Sequence, residues 1–82
     1  MRVSVVTPDS TYFDGEAASV VLPAWDGEVG ILRGHAPFMV LLQRGDVRIR
    51  LGGEERQFLV SGGFLQVVDD VVTVLSERAE PD

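Results

Sequence analysis

Val47, Ile49 and Leu51 alternate with Arg48 and Arg50. A period of two puts the three aliphatic side chains on one face of a strand and the two guanidinium groups on the other, one face buried and one wet. Gly52-Gly53 follow at once, and paired glycines suit a tight hairpin that needs positive φ. A two-residue loop there sets Arg50 opposite Glu55, a pair complementary in charge, and Val47 opposite Phe58, an apolar pair. Asp69-Asp70, between Val68 and Val71, predict a second hairpin turn. Asp26-Gly27, between Pro23 and Glu28, predict a third, and Trp25 beside them suggests a larger loop.

Gly and Pro recur every few residues, and between them lie short runs of Val, Leu, Ile and Phe. That spacing predicts many short antiparallel strands. They fall near Arg2 to Thr7, Tyr12 to Glu16, Ala18 to Leu22, Glu28 to Ile31, Phe38 to Leu42, Asp46 to Leu51, Glu54 to Val60, Phe64 to Val68 and Val71 to Leu75. No segment carries a sustained helical period with a cap at its head, so little or no helix is expected. An all-β chain of this kind buries one face of each sheet against another, as a sandwich or a barrel.

Phe38-Met39-Val40-Leu41-Leu42 breaks the alternation with five apolar residues in a row. Phe38, Val40 and Leu42 face one way in a strand and Met39 and Leu41 the other. A small two-layer sandwich buries only one face of each strand, so part of this set is expected outside, where exposed apolar area marks a partner surface. Phe58-Leu59-Val60 and Val71-Val72-Thr73-Val74-Leu75 pose the same question. The alternative is a barrel end or a covering loop that buries both faces.

Composition narrows the function. Eighty-two residues make one small domain. Thirteen Asp and Glu against seven Arg and no Lys give a net charge of -6, a poor match for a nucleic-acid backbone. The absence of Cys excludes disulfides and thiolate metal sites, and the single histidine, His35, excludes a histidine metal cluster within one chain. No uncharged run approaches the roughly 20 residues of a spanning helix, and Thr7-Pro8-Asp9 cut short the apolar start before it can serve as a signal peptide. A cytoplasmic protein that meets a membrane only through a partner is expected.

Candidate chemistry is sparse. His35 and Ser61 with an aspartate could compose a triad, but Val60-Ser61-Gly62-Gly63 lacks the nucleophile elbow. A lone His in Gly34-His35-Ala36-Pro37 reads more simply as a turn or contact residue. Without Lys there is no P-loop. Asp69 and Asp70 could bind calcium, yet adjacent aspartates at a hairpin are more often turn formers. Trp25 could stack on a sugar, the basis of a competing reading as a small carbohydrate-binding module, or pack at an interface. Glu77, Glu80 and Asp82 read as a solvated acidic tail.

The order of residues is distinctive. Val5-Val6-Thr7-Pro8 and Tyr12-Phe13-Asp14-Gly15-Glu16-Ala17 come first. Val21-Leu22-Pro23-Ala24-Trp25-Asp26-Gly27-Glu28-Val29-Gly30-Ile31-Leu32-Arg33-Gly34-His35-Ala36-Pro37 follow, and then Val60-Ser61-Gly62-Gly63-Phe64-Leu65-Gln66-Val67 before Val71, Thr73, Val74 and Leu75. From Val3 to Ala79 this resembles the epsilon subunit family of F-type ATP synthases, called delta in mitochondria. The resemblance implies an antiparallel two-sheet β-sandwich of about ten strands, and a non-catalytic rotor role that joins the gamma subunit to the c-ring and couples ion translocation to ATP synthesis. It implies a peripheral place on the cytoplasmic face of a bacterial inner membrane, reached through the complex, with no cofactor. It directs the turn Trp25, Asp26, Gly27 and Glu28 to the polar loops of the c-ring. It directs Arg33, His35, Ala36, Pro37, Val40, Leu42 and Leu65 to gamma, favouring the Val40 and Leu42 side of that strand as the outward one. Most bacterial members continue into a two-helix hairpin that inhibits hydrolysis and in some binds ATP. Ser76 to Asp82 spans at most about 25 Å, too short for it, so neither that brake nor ATP binding is expected of these residues.

Overall fold

A computed structural model describes residues 1–81. Ten strands follow one another: β1 (Arg2–Val6), β2 (Thr11–Glu16), β3 (Ser19–Ala24), β4 (Gly27–Leu32), β5 (Phe38–Leu41), β6 (Gly45–Leu51), β7 (Glu54–Ser61), β8 (Phe64–Val68), β9 (Val71–Leu75) and β10 (Arg78–Pro81). They form two five-stranded sheets, one in the order β2-β1-β9-β8-β5 and the other β10-β7-β6-β3-β4. The described residues contain no helix.

The hairpins follow from local chemistry. Val47 pairs with Phe58 and Arg50 with Glu55, and Gly52 takes up the turn with φ of 74°. Val68 pairs with Val71, while Asp69 and Asp70 hold φ of 49° and 61°. Two consecutive positive φ angles match the right-handed strand twist, and Asp tolerates them better than most side chains. Ala24 pairs with Gly27, so Trp25-Asp26 form a two-residue turn in place of the larger loop expected around Trp25. Gly27 makes that tightness possible with φ of 130°, a conformation only glycine adopts at little cost.

Two features depart from the sequence reading. β1 and β9 run parallel, Val3 beside Val72 and Val5 beside Val74, so the sandwich is antiparallel at every other ladder but not at this one. The segment read as a solvated tail is in part β10, whose Ala79 is buried and pairs with Val60 of β7. Asp82 lies outside the described residues.

The core is a single aliphatic layer between the sheets. Val3, Val5, Val72, Val74 and Leu65 from one sheet meet Val20, Leu22, Ile31, Val47, Ile49 and Val60 from the other, all fully buried. Each such side chain contributes roughly 1.5–3 kcal/mol of transfer free energy. Among the described residues Ser76 is the buried polar side chain, and it stitches the sheets at one corner. Its hydroxyl lies 2.7 Å from the Arg78 carbonyl oxygen, to which it donates, and accepts from the Ser61 N–H at 3.2 Å, while its own N–H donates to the Val6 carbonyl at 3.0 Å.

Candidate functional site

Three surface regions carry the candidate residues. The first is the Trp25-Asp26 turn. The Trp25 N–H donates to the Leu41 carbonyl at 3.0 Å and the Gln43 N–H to the Pro23 carbonyl at 2.9 Å. Between them Ala24 and Leu42 form an isolated antiparallel bridge, and the Gln43 side-chain amide donates to the Ala24 carbonyl at 2.7 Å. The turn is therefore clamped to the end of β5, in the opposite sheet, and Trp25 projects with 66% of its surface exposed. Asp26 and Glu28 are exposed as well. Glu28 is not free: Nη2 of Arg48 lies 3.2 and 3.4 Å from its two carboxylate oxygens.

The second region is the connection Arg33 to Pro37, which carries the chain from β4 in one sheet to β5 in the other. The His35 N–H donates to the Leu32 carbonyl at 3.2 Å. The His35 ring leans on Phe38 with centroids 5.5 Å apart, and its Nδ1 lies 2.7 Å from the Ala36 carbonyl oxygen. A carbonyl only accepts, so Nδ1 carries the proton in this arrangement. Arg33, Ala36 and Pro37 are exposed, while His35 is half-buried.

The third region is the outer face of the sheet that contains β5. Register fixes its membership. Met39 pairs with Gln66 and Leu41 with Phe64; Phe64, Gln66 and Val68 pair in turn with Leu75, Thr73 and Val71. Met39 and Leu41 are about two-thirds exposed, and Val68 and Val71 are exposed as well. Gln66 and Thr73 are the only polar side chains among these eight. Charge flanks this stretch: on β1 and β2 of the same sheet Arg2 pairs with Asp14, and on the outer face of the other sheet, where Leu32 is also exposed, Arg48 pairs with Glu28 and Arg50 with Glu55.

This arrangement corrects the parity expected for β5. Leu42 and Leu65 are buried in the core, and Val40, half-buried, packs against it. The reason is the ladder: Val40 stands opposite Leu65, whose side chain lies between the sheets, and the Leu42–Ala24 bridge carries Leu42 beneath the corner. Their side chains do not present an outer contact surface; Met39 and Leu41 do. From the sequence Met39 and Leu41 form the alternative outward side of this strand and Val71 stands in a run that poses the same question, whereas Val68 carries no such mark. The signal was present in β8 and β9, where Gln66 and Thr73 mark the wet parity, and pairing transmits that parity to β5.

The catalytic pairing weighed for His35 and Ser61 is not assembled. Ser61 lines a cleft of about 450 Å³ beside Arg44, Arg78 and Glu77, to which His35 does not contribute. Among the described residues no three of His, Cys, Asp and Glu gather as a metal site, and no helix is long and apolar enough to cross a membrane.

The described surface thus combines an apolar stretch over β5, β8 and β9, ion pairs on both sheets and a clamped Trp-bearing turn. Residues 1–82 match the family model of the ATP synthase delta/epsilon chain β-sandwich domain, and the chain belongs to that family. It is 48% identical over 80 residues to the ATP synthase epsilon chain of Alkalihalophilus pseudofirmus, covering 98% of this chain and 60% of the relative. It is 51% identical over 82 residues to the ATP synthase epsilon chain of Rhodopirellula baltica, covering 99% and 63%. The chain thus spans about three-fifths of the length of these relatives. Among solved structures it superposes with a TM-score of 0.89 and 29% identity on a chain in the OSCP/F1/c-ring assembly of the Euglena gracilis mitochondrial ATP synthase, covering 96% of this chain and 51% of that one.

Proposed function

We propose that this domain is a non-catalytic part of the ATP synthase rotor, joining the gamma subunit to the polar loops of the c-ring so that ion-driven rotation reaches the catalytic subunits. It sits on the cytoplasmic face of a bacterial membrane and meets the membrane through the complex. The observation that carries this reading is the apolar patch that Met39, Leu41, Val68 and Val71 form over β5, β8 and β9, on a chain that belongs to the delta/epsilon family. Apolar area of that kind on a small domain marks a partner surface, and a torque-bearing joint needs breadth, which a sheet face supplies.

Gamma takes the Met39 and Leu41 face together with the connection Arg33, His35, Ala36 and Pro37. The c-ring takes the turn Trp25, Asp26, Gly27 and Glu28. Arg48 holds Glu28 in an exposed pair worth little by itself, so a donor group on a polar ring loop can exchange with it. Trp25 is an exposed aromatic without aromatic neighbours on its turn, which favours a single anchor over a sugar-stacking platform.

The test is Glu28→Lys in the assembled enzyme. The variant is expected to fold as the parent does and to lose ATP-driven ion pumping while hydrolysis continues. Unaltered pumping would remove Glu28 from the ring contact, and failure of the parent domain to bind purified gamma would overturn the assignment as a whole.

A further inference from the structure

The connection Arg33 to Pro37 spans two sheets, yet it is not left loose. Its Gly34 N–H donates to Oδ1 of Asp70 at 2.6 Å, a hydrogen bond between residues 36 apart in sequence. Gly34 presents that N–H from a backbone with φ of 83°. Asp70 belongs to the β8–β9 turn, and its own backbone is committed elsewhere, for its carbonyl accepts from the Arg2 N–H at 2.9 Å. One residue therefore fastens the start of β1 through its main chain and the Gly34 connection through its side chain. The anchor sits in a defined two-residue turn, Asp69-Asp70, closed by the paired Val68 and Val71.

We infer that Asp70 is a positioning residue that pre-orders the connection Arg33 to Pro37 for the gamma subunit; this deepens, and rests on, the rotor reading above. Two observations place the hydrogen bond at the edge of the docking face. Val68 and Val71, which flank the turn, are exposed apolar members of that face. On the other side of the bond, the connection runs directly into Phe38, which pairs with Val67. Without the carboxylate, the connection keeps the His35 to Leu32 backbone hydrogen bond, the His35 ring contact to Phe38 and the local His35 Nδ1 hydrogen bond to the Ala36 carbonyl, none of which ties it to the β8–β9 turn. An unpinned connection must be ordered on binding, which lowers affinity through ordering entropy and not through lost contacts.

Asp70→Gly removes the acceptor at a position where positive φ suits glycine, so the turn itself survives. Asp70→Asn keeps an acceptor and tolerates the same backbone. The readouts are amide hydrogen exchange at Gly34, thermal unfolding, and the affinity of the full chain for purified gamma subunit. In Asp70→Gly, Gly34 exchange is expected to accelerate by about tenfold or more and gamma binding to weaken by about tenfold, the scale of one lost charge-assisted hydrogen bond. Asp70→Asn is expected to restore most of both. Unchanged Gly34 exchange in Asp70→Gly would overturn the clasp, and faster exchange with unchanged affinity would overturn its positioning role. If the parent chain does not bind gamma, the rotor reading falls and takes the positioning role with it, while Gly34 exchange still reports whether the clasp exists.

Discussion

Gly63 passes Leu75 so closely that a Cβ built on Gly63 would collide with the Leu75 carbonyl oxygen, and it would also fall 2.7 Å from the Ser76 Cα. Both obstacles are main chain, so no rotamer change relieves them, and Gly63 holds φ of 96° besides. Gly63→Ala therefore forces apart the β7–β8 turn and the end of β9. A loss of about 3 kcal/mol or more is expected, beyond the ordinary range for a single substitution. Gly53→Ala is the control: an added Cβ there meets nothing within 4 Å, and its urea midpoint should stay near that of the parent.

Ser76 sets a second test at the same corner. Its hydroxyl is placed to serve the Ser61 N–H and the Arg78 carbonyl from within the core, so Ser76→Ala strands polar groups of two strands in the other sheet. The expected cost is about 1–3 kcal/mol, that of an unsatisfied buried group, read as a lower thermal midpoint. It should also loosen β10, and faster amide exchange at Ala79 and Glu80 would report this separately from global unfolding.

The acid limb of stability involves Asp14. The Arg2 guanidinium, 3.0 Å away, hydrogen-bonds the Asp14 carboxylate, and the charge of Arg2 and the Ser4 hydroxyl add to it; together they outweigh desolvation and hold its pKa below the ordinary 3.8. A carboxyl whose pKa is lower folded than unfolded binds fewer protons in the folded state. Its contribution is thus fully present above the unfolded pKa and is lost as pH falls through the folded value. Asp14→Asn should leave a shallower decline in stability below about pH 4 than the parent shows. Urea midpoints of the two proteins across that range decide it, and identical acid slopes would remove the Arg2–Asp14 pair from the account.

How far the sequence carried depended on whether neighbouring residues differ in polarity. Val47 to Leu51 alternate, and the pairs Val47–Phe58 and Arg50–Glu55 follow from counting across Gly52-Gly53. Phe38 to Leu42 do not alternate, so neither parity has a polar mark, and the outward side is legible only through Gln66 and Thr73 once β5, β8 and β9 are known to be neighbours. The parallel ladder between β1 and β9 joins chain segments some 70 residues apart, and no turn chemistry announces it. β10 offers one buried apolar residue, Ala79, between charged neighbours, too weak a pattern to separate an edge strand from a tail. The pair Gly34–Asp70 was invisible for the same reason: each residue reads as turn chemistry in its own segment, and only the fold brings the segments together.

The parity of β5 yields the sharpest contrast. Leu65 is fully buried and Leu42 nearly so, whereas Leu41 is 65% exposed. A carboxylate at Leu65 or Leu42 enters the layer between the sheets without a partner, at a cost of several kcal/mol, on the order of the whole stability of a domain this small. Leu65→Asp and Leu42→Asp are expected to unfold the domain or leave it aggregating. Leu41→Asp and Met39→Asp place the same charge in water, so their stabilities should stay within about 1 kcal/mol of the parent's. On the proposed docking face, however, that charge is desolvated when gamma binds, and affinity should fall by about a hundredfold or more. Circular dichroism melts paired with gamma binding separate the outcomes. Folded Leu41→Asp and Met39→Asp proteins that bind gamma as the parent does would move the gamma contact off this face and onto the connection Arg33 to Pro37 alone.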